Sequence, residues 1–165
     1  MKKNEKKIAI VPGSFDPITY GHIDIAKRAA QCYDKVYFAV MINREKKYLF
    51  SIEERVEIAK AALSEFENIE VISSEGMLWE LAQKLSANAI VKGYRNNIDL
   101  EYENKMAKYN KEHYPNAETV LLKADEKLSY ISSTVVREYL SQGKDLSGYL
   151  PEAAISVINK LSKKF

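Results

Sequence analysis

The sequence predicts an α/β fold: a single domain over residues 1–165, with a doubly wound parallel sheet of five strands and helices on both faces. Three observations lead there. Five short runs rich in β-branched residues are almost continuously apolar, as strands covered on both faces tend to be. Longer amphipathic stretches separate them, which implies right-handed βαβ crossovers. The 165 residues, 46% of them apolar, suffice for one sizeable core.

The strands are expected at Lys7–Val11, Lys35–Ile42, Ile69–Ser73, Ala89–Val91 and Thr119–Leu122. A first helix, from Gly21, sets Ile25, Ala29 and Cys32 on its inward face, with Cys32 read as a small buried residue. A second opens with Ser51-Ile52-Glu53-Glu54, a capping box in which Ser and Glu satisfy each other's backbone donors. It continues through Val56, Ala59, Lys60 and Leu63. A third runs over Met77–Leu85 with Trp79 in the core, and a fourth over Asp99–Glu112 with His113 at a solvated end. A fifth starts near Ser132 and stops at Gly143, because glycine tolerates the left-handed backbone of a helix end. The last starts at Pro151, where a missing N–H costs nothing.

Composition excludes several classes of function. With 25 Lys+Arg against 23 Asp+Glu, the net charge of +2 makes no broad footprint for duplex nucleic acid. No stretch approaches the ~18 apolar residues of a membrane span. The basic start Met1–Lys7 lacks the apolar run of a signal peptide. Cys32 is the sole cysteine, so no intrachain disulfide can form, and a soluble protein of a reducing, cytoplasmic compartment is expected. The 11 tyrosines form no stacking array in the sequence, and the lysine-rich termini read as solvated.

Ligands of doubly wound sheets sit beyond the carboxyl ends of the strands, where the strand order reverses. After the first strand come Gly13, which lets the backbone pass close to a ligand, and Ser14, with a hydroxyl and an amide to offer. Gly21-His22 falls in the first turn of the next helix, where free N–H groups and the dipole attract anions. Read alone, this segment fits a capped Gly/Pro-rich turn equally well. Lys92-Gly93-Tyr94-Arg95 follows the fourth strand, and Arg suits bidentate phosphate binding. A solvated basic turn is the plain alternative. After the fifth strand, Ser132-Ser133-Thr134 can cap a helix or present hydroxyls and amides to phosphates, with Arg137 one turn further in. Lys46 and Lys47 sit in the loop after the second strand. Four basic or hydroxyl-rich segments thus share one rim.

Gly13-Ser14-Phe15-Asp16-Pro17, then Thr19-Tyr20-Gly21-His22, with Ile131-Ser132-Ser133-Thr134 far downstream, resembles the nucleotidyltransferase superfamily of (H/T)xGH and ISST motifs. Within it the chain is similar to the bacterial phosphopantetheine adenylyltransferase family, which carries Thr where other members have His at the Thr19 position. The likeness runs from the first strand to the Pro151 helix. It includes Lys46 before Phe50-Ser51-Ile52-Glu53-Glu54-Arg55, and Glu101-Tyr102-Glu103.

The resemblance implies a Rossmann-like nucleotidyltransferase fold and a reaction. The adenylyl group of ATP passes to 4′-phosphopantetheine by direct in-line attack of its phosphate. Dephospho-coenzyme A and pyrophosphate result, with Mg²⁺ held mainly by ATP phosphates and water rather than by protein ligands. No activated nucleophile is needed; positioning and charge stabilisation do the work.

Carried over by position, the resemblance implies that Ser14 binds the attacking phosphate and Phe15 contacts ATP through its backbone. His22 stabilises the transition state, and Lys46 bridges acceptor and nucleotide phosphates. Gly93, Tyr94 and Arg95 line the ATP site, Glu103 approaches the nucleotide, and Leu128, Ser129, Tyr130, Ile131, Ser132, Ser133 and Thr134 close over it. Lys92 faces the acceptor phosphate and Leu78 packs on the pantetheine arm. The resemblance further implies a homohexamer of two stacked trimers and feedback binding of coenzyme A. Three positions depart from the family: Lys92 for Arg, Ser14 for the frequent Thr, and Leu128 for an aromatic. The competing readings are a related transferase acting on nicotinate mononucleotide or a polyol phosphate, and a nucleotide-sensing module without turnover.

Overall fold

A computed structural model describes residues 5–161; the lysines at 2, 3, 163 and 164 lie outside the described residues. Five parallel strands, β1 (Ile8–Gly13), β2 (Lys35–Ile42), β3 (Ile69–Glu75), β4 (Ala89–Tyr94) and β5 (Glu118–Lys123), stand in the order β3-β2-β1-β4-β5. The helices are α1 (Tyr20–Cys32), α2 (Ile52–Ala62), α3 (Leu78–Leu85), α4 (Asn97–His113), α5 (Ser133–Ser141) and α6 (Glu152–Leu161). The chain winds outward from β1 to β3, then returns to β1's other side for β4 and β5. The switch point lies between β1 and β4.

The sheet is covered on both faces, as its apolar runs require. Ala9, Val11, Val36, Phe38, Val40, Ala89 and Val91 pack under α1, α2, α5 and α6 in the larger core. Ile10, Ala39 and Ile90 meet Leu81 and Ala82 of α3 on the other face. Fully burying one such Ile or Phe contributes about 1.5–3 kcal/mol.

The caps explain the helix starts. Ser51 Oγ accepts the Glu54 amide at 3.1 Å while Glu54 Oε1 accepts the Ser51 amide at 2.9 Å. Gly143, just past α5, takes φ +67°.

Several expectations need correction. On α2 the expected Ala59 and Leu63 are buried and Val56 packs against the core, but Lys60 is exposed, and the face is completed by Arg55, Ile58 and Ala62. α1 buries Ile23, Ile25, Ala26 and Ala29, which leaves Cys32 exposed at its last turn. Trp79 is half-buried and lies against His113, ring centroids 5.1 Å apart, outside both cores. His113 is exposed but stacked. β4 runs on to Tyr94, since Lys92, Gly93 and Tyr94 pair with Leu121, Leu122 and Lys123 of β5. Backbone pairing extends the strand past the end of its apolar side chains.

Candidate active site

β1 ends at Gly13, and the chain turns through Ser14 to Thr19 into α1. Phe15 takes φ +49° and folds its ring inward, stacked on Phe38 at 4.0 Å. A Cβ on Gly13 would lie 2.7 Å from that ring. Glycine is needed here so that Phe15 can fold beneath it, and Gly13 also lines the cavity where a ligand is expected to approach. Gly93 has a similar reason, for its Cβ would stand 3.1 Å from two carbons of Ile25 on α1.

His22 is the third residue of α1, and its Nδ1 accepts the Thr19 amide at 3.0 Å, with the Thr19 hydroxyl 3.3 Å away. An amide can only donate, so Nδ1 carries no proton and the neutral ring holds its hydrogen on Nε2. Burial, then the Arg95 charge, lowers its pKa from 6.5 to about 4. His22 is therefore a neutral N–H donor at pH 7. Its ring stands edge-on to Phe15 at 4.9 Å, which fixes its orientation.

Arg95, just beyond β4, donates from Nη2 to the Ile131 carbonyl at 3.1 Å and from its amide to Asp99 at 3.2 Å. Lys92 Nζ lies 2.8 Å from Glu103 Oε1. At the start of α5 the three hydroxyls are committed to the protein. Ser132 Oγ caps the helix by accepting the Val135 amide at 3.1 Å. Ser133 Oγ donates to the Pro17 carbonyl at 2.8 Å. Thr134 Oγ1 accepts from Arg137 at 3.1 Å, and Arg137 donates to the Asp16 carbonyl at 2.8 Å. These bonds join the motifs after β1 and β5, which lie over a hundred positions apart in sequence.

Two side chains brace this loop from the other side. The Asp16 carboxylate accepts the amides of Leu49 and Phe50 at 2.8 and 2.9 Å. Arg55 Nη1 donates to the Ser14 and Met41 carbonyls at 2.7 and 3.1 Å, with its guanidinium 3.9 Å over the Tyr48 ring.

Between these segments, at the switch point, lies a cavity of about 450 Å³, the size range of small-molecule sites. Of the expected site residues, Ser14, Phe15, His22, Lys92, Gly93, Tyr94, Arg95, Leu128, Ser129, Ile131 and Ser133 line it. Six do not. Lys46 is exposed on a turn whose amide donates to the Asn43 carbonyl at 3.0 Å. Leu78 packs into the smaller core under the sheet, Glu103 lies behind Lys92, and Tyr130 is 55% exposed with its hydroxyl 3.3 Å from the Gly148 carbonyl. Ser132 and Thr134 are held as described. Asp24, Asp99 and Arg137 also line the cavity. The two aspartates were not anticipated; Asp99 had a signal, since Asn96 and Asp99 form a cap at the start of α4.

The loops after β1, β4 and β5, with the starts of α1, α4 and α5, converge beyond the strands and define a nucleotide-binding transferase site. Residues 10–139 match the cytidylyltransferase-like family model, which places the chain in that family. A relative from Caldanaerobacter subterraneus named phosphopantetheine adenylyltransferase is 45% identical over 96% of this chain and 98% of its own. One of that name from Lactobacillus acidophilus is 45% identical over 93% and 96%. The chain belongs to the phosphopantetheine adenylyltransferase family. The fold is shared more widely. The solved structure of a Vibrio parahaemolyticus protein, proposed to be a nicotinate-nucleotide adenylyltransferase, superposes with a TM-score of 0.70 at 17% identity over 98% of both chains.

Proposed function

We infer that this protein is an enzyme that transfers the adenylyl group of ATP to 4′-phosphopantetheine. An acceptor phosphate oxygen bonds to the α-phosphorus, the bond to the β-phosphate oxygen breaks, and pyrophosphate and dephospho-coenzyme A leave. The supporting observation is the convergence of Ser14, His22, Lys92, Arg95 and Ser133 on one cavity at the switch point. His22 Nε2–H donates to a non-bridging oxygen of the α-phosphate, where charge builds in the transition state. Arg95 meets the nucleotide phosphates, while Ser14 and Lys92 hold the acceptor phosphate. By family resemblance Lys46 is assigned to bridge the two phosphates and Leu78 to flank the pantetheine arm, although neither lines the cavity.

The donor set fits a magnesium ion that keeps its waters. Of the five carboxylates lining the cavity, Asp16 is held by the Leu49 and Phe50 amides, Asp24 lies 3.3 Å from Arg28, Asp99 accepts from the Arg95 amide, Asp125 accepts from the Lys127 amide, and Glu126 lies 3.9 Å from Lys123. Among the described residues no three potential ligands gather. Bound through ATP, Mg²⁺ would neutralise phosphate charge.

No helix among the described residues is long and apolar enough to cross a membrane, and a cytoplasmic role in coenzyme A synthesis is proposed. Coenzyme A itself would bind the same cavity as a feedback ligand. A homohexamer is proposed from the family resemblance, and Ile98, Tyr102 and Tyr109, exposed along α4 at 80%, 60% and 38%, offer an apolar face for self-association. Light scattering should give about six times the 18.9 kDa chain mass at micromolar concentration; a stable monomer overturns the assembly without touching the chemistry.

The decisive assay is pyrophosphate release from ATP with phosphopantetheine, compared with nicotinate mononucleotide. Release with the second alone overturns the assignment, and tight nucleotide binding with no release assigns a sensor instead. Lys92→Ala should chiefly raise the phosphopantetheine KM, by about 1.5–3 kcal/mol in binding terms. An unchanged KM would mean that the acceptor phosphate lies elsewhere.

A further inference from the structure

We propose that Glu103 is a positioning residue that acts on the acceptor through Lys92: it holds the ammonium partly neutralised and so limits its grip on the acceptor phosphate. The proposal rests on the function inferred above and deepens it. Glu103, Met106, Ala107 and Asn110 form the least exposed stripe of α4, at positions i, i+3, i+4 and i+7. A carboxylate in such a stripe is costly unless paired, and the Glu103 side chain is only 13% exposed. Its partner is Lys92, 2.8 Å away. At that distance the ammonium and the buried Glu103 Oε1 form a close ion pair. Lys92 lines the cavity and Glu103 does not. The carboxylate therefore influences a ligand by way of the ammonium.

Two effects oppose each other. Holding a flexible lysine in place spares rotamer entropy when a phosphate binds, which favours the acceptor. A carboxylate that holds the ammonium 2.8 Å from itself takes up charge and hydrogen-bonding capacity that a phosphate would otherwise use, and screening is weaker in a half-buried site than in water. The competition wins, because the ammonium must leave or share the carboxylate to serve the phosphate, whereas the pairing spares the rotamer freedom of only one side chain. Lysine makes the sharing acute. A guanidinium fork can serve two anions with separate N–H pairs, whereas a point charge is divided between them.

The test is steady-state kinetics of Glu103→Gln with both substrates varied. The phosphopantetheine KM should fall by about fivefold to tenfold, with the ATP KM within about twofold of wild type. In a Lys92→Ala background the same substitution should leave the phosphopantetheine KM unchanged, because its route is gone. An unchanged or raised acceptor KM in the single variant overturns the proposal. A raised ATP KM also overturns it and assigns Glu103 to the nucleotide. A lower melting temperature with no split between the two KM values marks a purely structural residue, and overturns it as well. If the wild-type protein releases no pyrophosphate with phosphopantetheine, the inferred function fails and this proposal with it. If wild type turns over and only the variant departs from expectation, the function stands.

Discussion

His22→Ala should lower kcat by about 10²–10³, the scale for losing one preorganised oxyanion donor, with a much smaller change in the ATP KM. In-line attack at the α-phosphorus gathers charge on its non-bridging oxygens. A donor already held in place binds that state better than the ground state. The Thr19 amide on Nδ1 and the Phe15 ring provide the holding. The same amide would lose its partner in the alanine variant, at about 1 kcal/mol of stability. His22→Asn separates the two roles, because its side-chain oxygen can still accept from Thr19 while nothing replaces Nε2–H. Asn should therefore keep the melting temperature and still lose kcat; a near-normal kcat in either variant would overturn the role assigned to His22.

The pH dependence follows from the same residue. The folded pKa, about 4, lies below the ordinary 6.5. Between those values the unfolded chain binds a proton that the folded protein refuses, so the contribution to stability is full above pH 6.5 and is lost as pH falls toward 4. The loss is about 3 kcal/mol. Thermal melts across this window should fall more steeply for wild type than for His22→Ala. Because the neutral ring is the donor, the kcat contribution of His22 should hold down to roughly pH 5; an activity loss centred at pH 6.5 would mean that an ordinary, solvated histidine is titrating.

The rim of the site was legible because each apolar run ends where chemistry begins. Val11 gives way to Pro12-Gly13-Ser14 and Val91 to Lys92, so the rule about carboxyl ends of strands pointed at the right segments. Sequence could not say how those segments hold one another. Nothing local marks the Pro17 carbonyl as the acceptor for Ser133, or the Asp16 carbonyl as the acceptor for Arg137. Such bonds span over a hundred residues and exist only once the sheet has formed. The face of α2 shows the other limit. Val56-Ala59-Lys60-Leu63 and Arg55-Ile58-Ala59-Ala62 are both helical stripes carrying one cation. The Ser14 and Met41 carbonyls decide which cation is buried by accepting Arg55. Lys46 lies apart from the cavity on a turn closed by its own bonds at Asn43, while Asp16 anchors the far end of the loop at Leu49 and Phe50.

Arg55→Met should be among the most destabilising single changes in this protein. The guanidinium is 1% exposed and sits between the β1–α1 turn, the end of β2 and the ring of Tyr48. Removing it leaves the Ser14 and Met41 carbonyls without their charged donor, at about 1.5–3 kcal/mol each. Some of that is offset, because a buried cation is expensive: burial pushes the Arg55 pKa down, and its Nε makes no hydrogen bond. Methionine recovers part of the packing. The balance is a loss of about 3 kcal/mol, or roughly 6–12 °C in melting temperature for a chain of this size. Function should suffer in the fraction that stays folded, since the Ser14 carbonyl is what the arginine grips and the Ser14 hydroxyl is assigned to the acceptor phosphate. The phosphopantetheine KM should rise more than the ATP KM, measured below the variant's melting transition. Arg55→Lys should give an intermediate result, because a single ammonium keeps the charge but cannot reach both carbonyls with the geometry of the fork. A methionine variant that melts within about 2 °C of wild type would show that the two carbonyl contacts contribute nothing net, with the desolvation of the guanidinium cancelling them.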